Sequence, residues 1–291
     1  YSSPIAVSTT TTLKAKAWRS GWTTSQTASG EYIITGTVAT PYFSPSPGTY
    51  SSTQQVVISC TTTGSTIRYT TDDSEPTSSS PIYSSPIAVS TTTTLKAKAW
   101  KSGWNASDVK TGLYTIIVAV TINCVGDTYI AESGPGTNYC RSDYMVVRHY
   151  SDSGDAWSYV DFGDITNIVP NSAQVTSATL FLSVVDLYNA GPSVMGLIIA
   201  RAGGQWSECD INWNSRTGYG NPNFNYPSPS GTGIMGYDVT ELVQDIIDHG
   251  YDFGLQLMPG AVAAPDLDRR VYFASIDSGF VTHLQVLYVN D

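Results

Sequence analysis

Apolar and polar residues alternate with a period of two over much of the first 118 residues, and this pattern predicts β-strands. Such runs occur at Gln54–Ser59, Ser65–Thr70, Leu95–Trp100 and Tyr114–Val118. Turn-forming clusters at Pro45–Gly48 and Asp72–Pro76 separate them. Short strands at this spacing predict an immunoglobulin- or fibronectin-like sandwich.

The pattern continues to the C-terminus and predicts a β-jelly-roll with one short helix, so that the whole chain is all-β. The predicted strands are Thr176–Val185, Gly196–Arg201, Phe253–Met258, Arg270–Ser275 and His283–Val289. The helix has Asp238 as its N-cap, Glu241 in the capping-box position and Gly250 after its end. Residues 215–233 are rich in Gly, Pro and Asn and predict a long exposed loop.

The first third of the chain contains an internal repeat with an offset of 82 residues. Tyr1–Trp22 recurs as Tyr83–Trp104, and only Arg19 and Lys101 differ. A period of this length predicts a domain-sized unit. We therefore divide the chain into the C-terminal half of a repeat (1–38), a complete repeat (39–118) and a third domain (119–291). Half a repeat cannot bury its own hydrophobic face, so either a longer chain or a neighbouring molecule completes it.

The complete repeat resembles the small sandwich domain at the C-terminal end of chitobiases and β-hexosaminidases. The matching residues are Phe43-Ser44-Pro45, Pro47-Gly48, Tyr50, Ile67–Asp72, Pro76-Thr77 and Leu95-Lys96-Ala97. Asp73 departs from the glycine usual in the family's turn. The resemblance implies a non-catalytic spacer or stalk and carries no implication of hexosaminidase activity.

Charge separates the two regions of the chain. Charged residues make up 13% of the sequence and the net charge is −10, which argues against nucleic-acid binding. Residues 1–118 carry a net charge of +3, whereas residues 119–291 contain no Lys and carry −13. No apolar run is long enough to predict a membrane span.

The third domain resembles the DNRLRE-type domain, which is related to the disaggregatase family and to some carbohydrate-binding modules. The matching segments are Asp127-Thr128-Tyr129, Asn138-Tyr139, Tyr159–Phe162, Ala178–Leu182, Trp206–Trp213, Tyr237–Val243, Phe273-Ala274-Ser275 and Leu287-Tyr288-Val289. The resemblance implies an extracellular jelly-roll, and some relatives bind alginate-like polysaccharides. A polyanion requires clustered cations, so the acidic domain argues against such a ligand unless Arg201, Arg216, Arg269 and Arg270 converge.

Neutral glycans are an easier ligand, because aromatic rings stack on sugar faces. The candidate platforms are Trp157, Tyr188, Tyr219, Phe224 and Tyr226. Packing onto the sandwich or a contact with another subunit explains the same residues equally well. Trp206 and Trp213 are predicted core residues.

Metal and catalytic chemistry have weaker signals. No cofactor is required; a structural Ca²⁺ would find oxygen ligands at Asp152 and Asp155, or at Asp266 and Asp268. Solvated loop acids explain both pairs more simply. The three histidines lie outside any catalytic motif, so we expect no enzyme activity.

The pattern of cysteines predicts a secreted protein. Cys140 pairs with either Cys124 or Cys209, and Cys60 and the remaining cysteine pair together, bridge to another chain or stay free. Asn105 begins the single N-x-S/T sequon.

The sequence is consistent with three hypotheses about function. The first is a non-catalytic extracellular or cell-surface protein, whose stalk presents a glycan-binding jelly-roll for adhesion or polysaccharide attachment. The second is a self-associating structural subunit of a filament, sheath or surface layer. The third is an accessory region of a polysaccharide-degrading enzyme.

Overall fold

The computed structural model describes residues 1–150, 152, 154–190, 195–250, 254–262, 268–279 and 282–290. It divides into two compact units, residues 1–115 and 116–291. Both units consist of β-strands, and the described residues contain a single α-helix, so the all-β prediction is confirmed.

Nine strands begin in the first unit, and the ninth continues into the second. They are β1 (Thr11–Ala15), β2 (Ala28–Tyr32), β3 (Tyr42–Ser44), β4 (Gly48–Tyr50), β5 (Gln54–Ser59), β6 (Thr66–Thr70), β7 (Ile87–Val89), β8 (Thr93–Trp100) and β9 (Lys110–Asn123). Strands β1 and β2 pair with each other. In the complete repeat, β3, β5 and β7 form one sheet, and β6, β8 and β9 form the other, with β4 also on β9.

The complete repeat is a sandwich because every second residue of its strands faces the space between the two sheets. Leu95 and Ala97 of β8 are fully buried, as is Val56 of β5 on the facing sheet. Tyr114 of β9 is also fully buried, and its hydroxyl donates to the carbonyl oxygen of Pro45 at 2.8 Å. The alternation read from the sequence therefore corresponds to real inward and outward faces.

The second unit contains ten further strands and the helix. They are β10 (Gly126–Ala131), β11 (Tyr144–His149), β12 (Ala156–Asp161), β13 (Gln174–Tyr188), β14 (Met195–Ala202), β15 (Tyr219–Pro227), β16 (Gly233–Asp238), α1 (Thr240–His249), β17 (Leu255–Val262), β18 (Arg269–Ala274) and β19 (His283–Val289). Their pairing order is β15-β14-β17-β12-β11-β18-β13-β19, with β10 on β12 and β16 on β13. All these pairs are antiparallel.

The helix closes one side of a large apolar core. Its stripe of Leu242, Val243, Ile246 and Ile247 is buried against the same cluster as Leu180 of β13. The helix ends at His249, and Gly250 adopts a positive φ of 67°, which suits glycine. Asp238 accepts hydrogen bonds from the backbone and hydroxyl of Thr240, but Val239 is the N-cap, so the predicted cap position was off by one residue.

Residues 215–233 are not one long loop, which corrects the prediction from composition. Strand β15 occupies Tyr219–Pro227 and pairs with β14. Phe224 and Tyr226 pack against the core, whereas Asn223 and Asn225 are exposed. The segment therefore alternates like a strand although it is rich in turn-forming residue types. Phe253, predicted to begin the strand that forms β17, lies outside the described residues.

Candidate functional site

Four tyrosine rings form a continuous row on the second unit. The rings of Tyr129 and Tyr139 stack with centroids 4.1 Å apart, and Tyr129 also stacks on Tyr144 at 6.3 Å. Tyr144 meets the edge of Tyr272 at 5.3 Å. Tyr144 is 41% exposed, and the other three rings are half-buried. We call these four residues, together with Arg270 and Tyr188 described below, the tyrosine band.

The strand register places part of this band on one face of the sheet. Val146 of β11 lies opposite Tyr272 of β18, and Arg148 lies opposite Arg270. The intervening residues Met145, Val147, Val271 and Phe273 point the other way and are fully buried in the core. Because side chains alternate across a strand, Tyr144 and Tyr272 must face away from that core.

Arg270 and Tyr188 extend the band beyond Tyr272. Arg270 forms a salt bridge with Asp268 and donates to the hydroxyl of Tyr272 at 3.2 Å. Its guanidinium carbon lies 5.6 Å from the ring centroid of Tyr188, which is 52% exposed. The carboxylate of Asp268 raises the pKa of Arg270 above its ordinary value, so this arginine stays charged and paired.

The charges along the band are balanced. Arg148 donates to the carbonyl oxygen of Gly154 at 3.2 Å and to the hydroxyl of Ser133 at 3.1 Å. Asp268 neutralises Arg270, and Asp186 lies opposite Tyr272 on β13. The four arginines considered from the sequence do not form one cluster: Arg201 pairs with Asp245, and Arg216 lies over Trp213. The band is therefore an aromatic surface without a surplus of positive charge.

A disulfide holds the outermost ring of the band in place. Cys140 is bonded to Cys209, one of the two pairings left open by the sequence. The side chain of Asn138 donates to the carbonyl oxygens of Glu208 at 2.8 Å and Ile211 at 2.6 Å. Tyr139 lies between these two anchors, so its segment is fixed to residues 208–211 on both sides.

The five predicted platforms lie in different places. Tyr188 belongs to the tyrosine band. Phe224 and Tyr226 lie on β15, where Tyr226 contacts the ring of Tyr237 at 5.4 Å. Tyr219 is the first residue of β15. Trp157 packs edge-to-face on Trp213 at 5.1 Å. Tyr188, Phe224 with Tyr226, and Trp157 therefore belong to three different clusters of rings.

The tryptophans form a separate cluster. The guanidinium of Arg216 lies 4.2 Å from the ring centroid of Trp213 and 5.4 Å from that of Trp157. Trp213 is 9% exposed, in keeping with its predicted place in the core. Trp206 packs on the same cluster and borders a pocket of about 390 Å³ together with Gln205 and Asp210.

The candidate calcium ligands have individual partners. Asp155 contacts Nδ1 of His149 at 2.9 Å, and Asp152 accepts from the hydroxyl of Tyr150 at 3.2 Å. Asp268 is held by Arg270, and Asp266 lies outside the described residues. Within the part of the chain that the structure describes, no three acidic, histidine or cysteine side chains come together as a metal site. Calcium binding stays a prediction.

The structure also shows the state of the two remaining cysteines and the burial of the sequon residues. Cys60 and Cys124 are free thiols, and burial raises the pKa of Cys124 to about 12. Asn105 is exposed, and its backbone pairs with Gly36. Ser107 of the sequon is buried, where its hydroxyl accepts from the backbone of Ala99 at 2.9 Å.

A buried carboxylate lies at the start of β10, next to the band. Asp127 is 2% exposed and accepts hydrogen bonds from the hydroxyl of Ser275 and the backbone of Ile276, both at 2.8 Å. Burial raises its pKa to about 6 despite these two donors. Asp127 therefore binds the segment after β18 to the strand that carries Tyr129.

Sequence reasoning missed Tyr144 and Tyr272 as site residues, although a signal was present. Tyr144, Val146 and Arg148 alternate with core residues, and so do Arg270 and Tyr272. Two strands with aromatic and arginine side chains at every second position predict an outward face of that composition. Tyr129 and Tyr139 were used only as marks of family resemblance.

The fold and the tyrosine band define a two-module all-β protein, a sandwich followed by a module with an exposed aromatic face. Residues 118–277 match carbohydrate-binding module family 96, and the chain belongs to this family. Residues 45–111 match the chitobiase/β-hexosaminidase C-terminal domain, as the sequence predicted. The relationship to carbohydrate-binding modules is thereby confirmed, and the DNRLRE-type relationship stays a prediction.

Other comparisons add little. A search of curated proteins gives no match. Among solved structures, a SusE-like protein is 11% identical over 85% of this chain and 95% of its own, with a TM-score of 0.17. That score is too low to support any argument about fold or function. Among the described residues, no helix has the length and apolar character needed to cross a membrane.

Proposed function

We propose that this is a non-catalytic extracellular cell-surface protein, in which the sandwich repeats are a stalk and the second unit binds a neutral glycan along the tyrosine band. The observation that carries the proposal is the uninterrupted row from Tyr139 to Tyr188. The exposed parts of the Tyr144 and Tyr188 rings can contact the apolar faces of sugar rings, and the flanking tyrosine hydroxyls and arginines offer hydrogen-bond donors. Family membership supports the ligand class.

The balance of charge supports a neutral ligand. Arg270 is paired with Asp268, and the unit has a net charge of −13 from residue 119 onward. An acidic polymer would have to approach this negative field and compete with an existing salt bridge. A neutral chain meets neither obstacle.

Affinity electrophoresis and calorimetry with neutral β-glucans, mannans and xylans, and with uronic-acid polymers, test the proposal. Tyr144→Ala should weaken neutral-glycan binding roughly 10-fold, the effect of losing one ring contact of 1–1.5 kcal/mol. Tyr42→Ala removes a tyrosine that is 52% exposed in the first unit and serves as the matched control. Binding that is confined to uronic-acid polymers and falls steeply with salt contradicts the neutral assignment.

A second candidate is self-association as a structural subunit. Large apolar side chains are exposed in the first 38 residues, including Ile5 at 60%, Trp18 at 73% and Tyr32 at 51%. Exposed patches of this kind favour association. Sedimentation equilibrium over a hundredfold range of concentration tests it, and a strictly monomeric protein contradicts it.

A further inference from the structure

The two copies of the repeated sequence adopt the same local structure. Thr11 pairs with Tyr32 in the first copy, and Thr93 pairs with Tyr114 in the second, so both hairpins have the same register. The side chain of Ser25 accepts from the backbone of Ala17 at 2.9 Å, as that of Ser107 does from Ala99. The first copy is therefore already folded as half of a sandwich.

The two copies differ in what covers them. Leu95 and Ala97 are fully buried, whereas their counterpart Leu13 is half-buried and Ala15 is exposed. Tyr32 is 51% exposed, whereas Tyr114 is fully buried. Tyr1, Ile5, Val7, Leu13, Ala15 and Tyr32 contribute to the lining of a groove of about 570 Å³ on the first copy.

In the complete repeat, apolar side chains from residues 39–82 cover the face that is exposed in the first copy. Phe43, Val56 and Ile58 are buried in its core, and the ring of Phe43 lies 6.4 Å from that of Tyr114. Strand β6 pairs with the edge of β8, and β5 pairs with β7. Within residues 1–115, all of which the structure describes, no strand occupies the corresponding edge of β1.

The surroundings of one glycine in each copy also show that the facing segment is present only in the complete repeat. A Cβ added to Gly112 would overlap Pro47 and lie 3.1 Å from the ring of Phe43. At the equivalent Gly30, the nearest atom to an added Cβ is the ring of Tyr32 at 3.7 Å, an ordinary contact. Gly30 has room for a side chain as the structure stands, and would lose that room if a proline-bearing segment were bound.

We propose that the exposed face of residues 1–32 is a binding site for an additional polypeptide segment with the sequence pattern of residues 39–82. Such a segment adds a strand to the open edge of β1 and places aromatic and branched side chains on Leu13 and Ala15. Exchange among copies of residues 1–291 gains nothing, because these residues contain two C-terminal halves and one N-terminal half. The occupant is therefore a further half-repeat.

Titration of the full chain with residues 39–82, produced on a soluble carrier, tests the proposal. We expect saturable binding at one segment per chain, with slowed amide hydrogen exchange in Thr11–Ala15. A segment carrying Val56→Asp and Ile58→Asp should not bind, because two charges would enter the apolar interface. A wild-type segment that fails to bind, or a chain that covers this face by dimerising without it, overturns the proposal.

Gly30→Val is the decisive variant. It should leave the free protein folded and weaken segment binding roughly 10- to 100-fold, the range expected for overpacking a fitted contact. Glu31→Val is the matched control, because the equivalent Leu113 is 53% exposed in the complete repeat. Undiminished binding by Gly30→Val would mean that the segment exchanges into residues 83–118 instead, which also overturns the proposal.

Discussion

Tyr1–Trp22 and Tyr83–Trp104 differ at one position in sequence, yet one copy is largely exposed and the other forms half of a core. The strand register and the local hydrogen bonds are the same in both. The facing sheet and the edge strand β6 are present only at the complete repeat. Local structure in this repeat is therefore encoded by the hairpin itself, whereas burial is supplied by a separate segment. Matched substitutions in the two copies measure that difference directly.

The largest expected effect comes from truncating the same leucine in each copy. Leu95→Ala should destabilise the complete repeat by about 3–5 kcal/mol, because it leaves a cavity in a closed core. Leu13→Ala should cost less than about 1 kcal/mol, because Leu13 already contacts solvent. Urea unfolding followed by tryptophan fluorescence measures both. Equal losses at the two positions would show that the first copy is covered in solution.

The second unit is stabilised by a disulfide bond, which can be removed by substitution. The variant with Cys140→Ser and Cys209→Ser should lose about 4 kcal/mol, since the bond closes a loop of 69 residues. Glycan binding should weaken as well, because Tyr139 is no longer held on Tyr129. The unfolding transition of the complete repeat should not move, and a shift there would contradict independent units.

Asp127 should make the stability of the second unit depend on pH in the acid range. Its pKa is about 6 when folded, above the ordinary carboxyl value, so the folded state holds a proton that the unfolded state has released. Stability contributed at this site should therefore fall by about 2 kcal/mol as pH rises from 4 to 6. Asp127→Asn should remove this fall. A wild-type protein and variant with parallel pH profiles would refute it.

The smallest effect concerns one hydroxyl in each copy. Ser107→Ala should cost about 1–2 kcal/mol, because it leaves the buried backbone N–H of Ala99 without its acceptor. Ser25→Ala should cost less than about 0.5 kcal/mol, because water can replace the hydroxyl at the exposed copy. Thermal unfolding of the two variants is the measurement. A larger loss of stability in Ser25→Ala than in Ser107→Ala would contradict the prediction that the first copy is the more exposed.

Much of the fold could be predicted because its signals are local. Alternation identified the strands around Ile58 and Leu95, and the apolar stripe with Gly250 identified the helix. The strand containing Phe224 and Tyr226 was mistaken for a loop because it is rich in Asn, Pro and Gly. Its buried and exposed residues nevertheless alternate, and the strand forms by pairing with β14. Residue type alone was a poor guide there.

The tyrosine band was harder to predict because it depends on distant partners. Tyr129 and Tyr139 stack only because the Cys140–Cys209 bond and Asn138 fix a segment without regular structure. Tyr144 and Tyr272 meet because β11 and β18 pair across more than a hundred residues of sequence. The alternation of each strand was visible, but which strands are neighbours was not.

The shared register of the two hairpins also bears on how the chain folds during synthesis. Residues 39–82 leave the ribosome when only the first copy has been made, and residues 83–118 follow over roughly 2–7 s at 5–20 residues per second. The newly made segment thus meets two hairpins of the same register, and the hairpin made first is not the one with which it finally packs. The first 22 residues of the two copies differ only at Arg19 and Lys101, so the choice depends on later differences such as Glu31 against Leu113, and on the length and direction of the link to each hairpin.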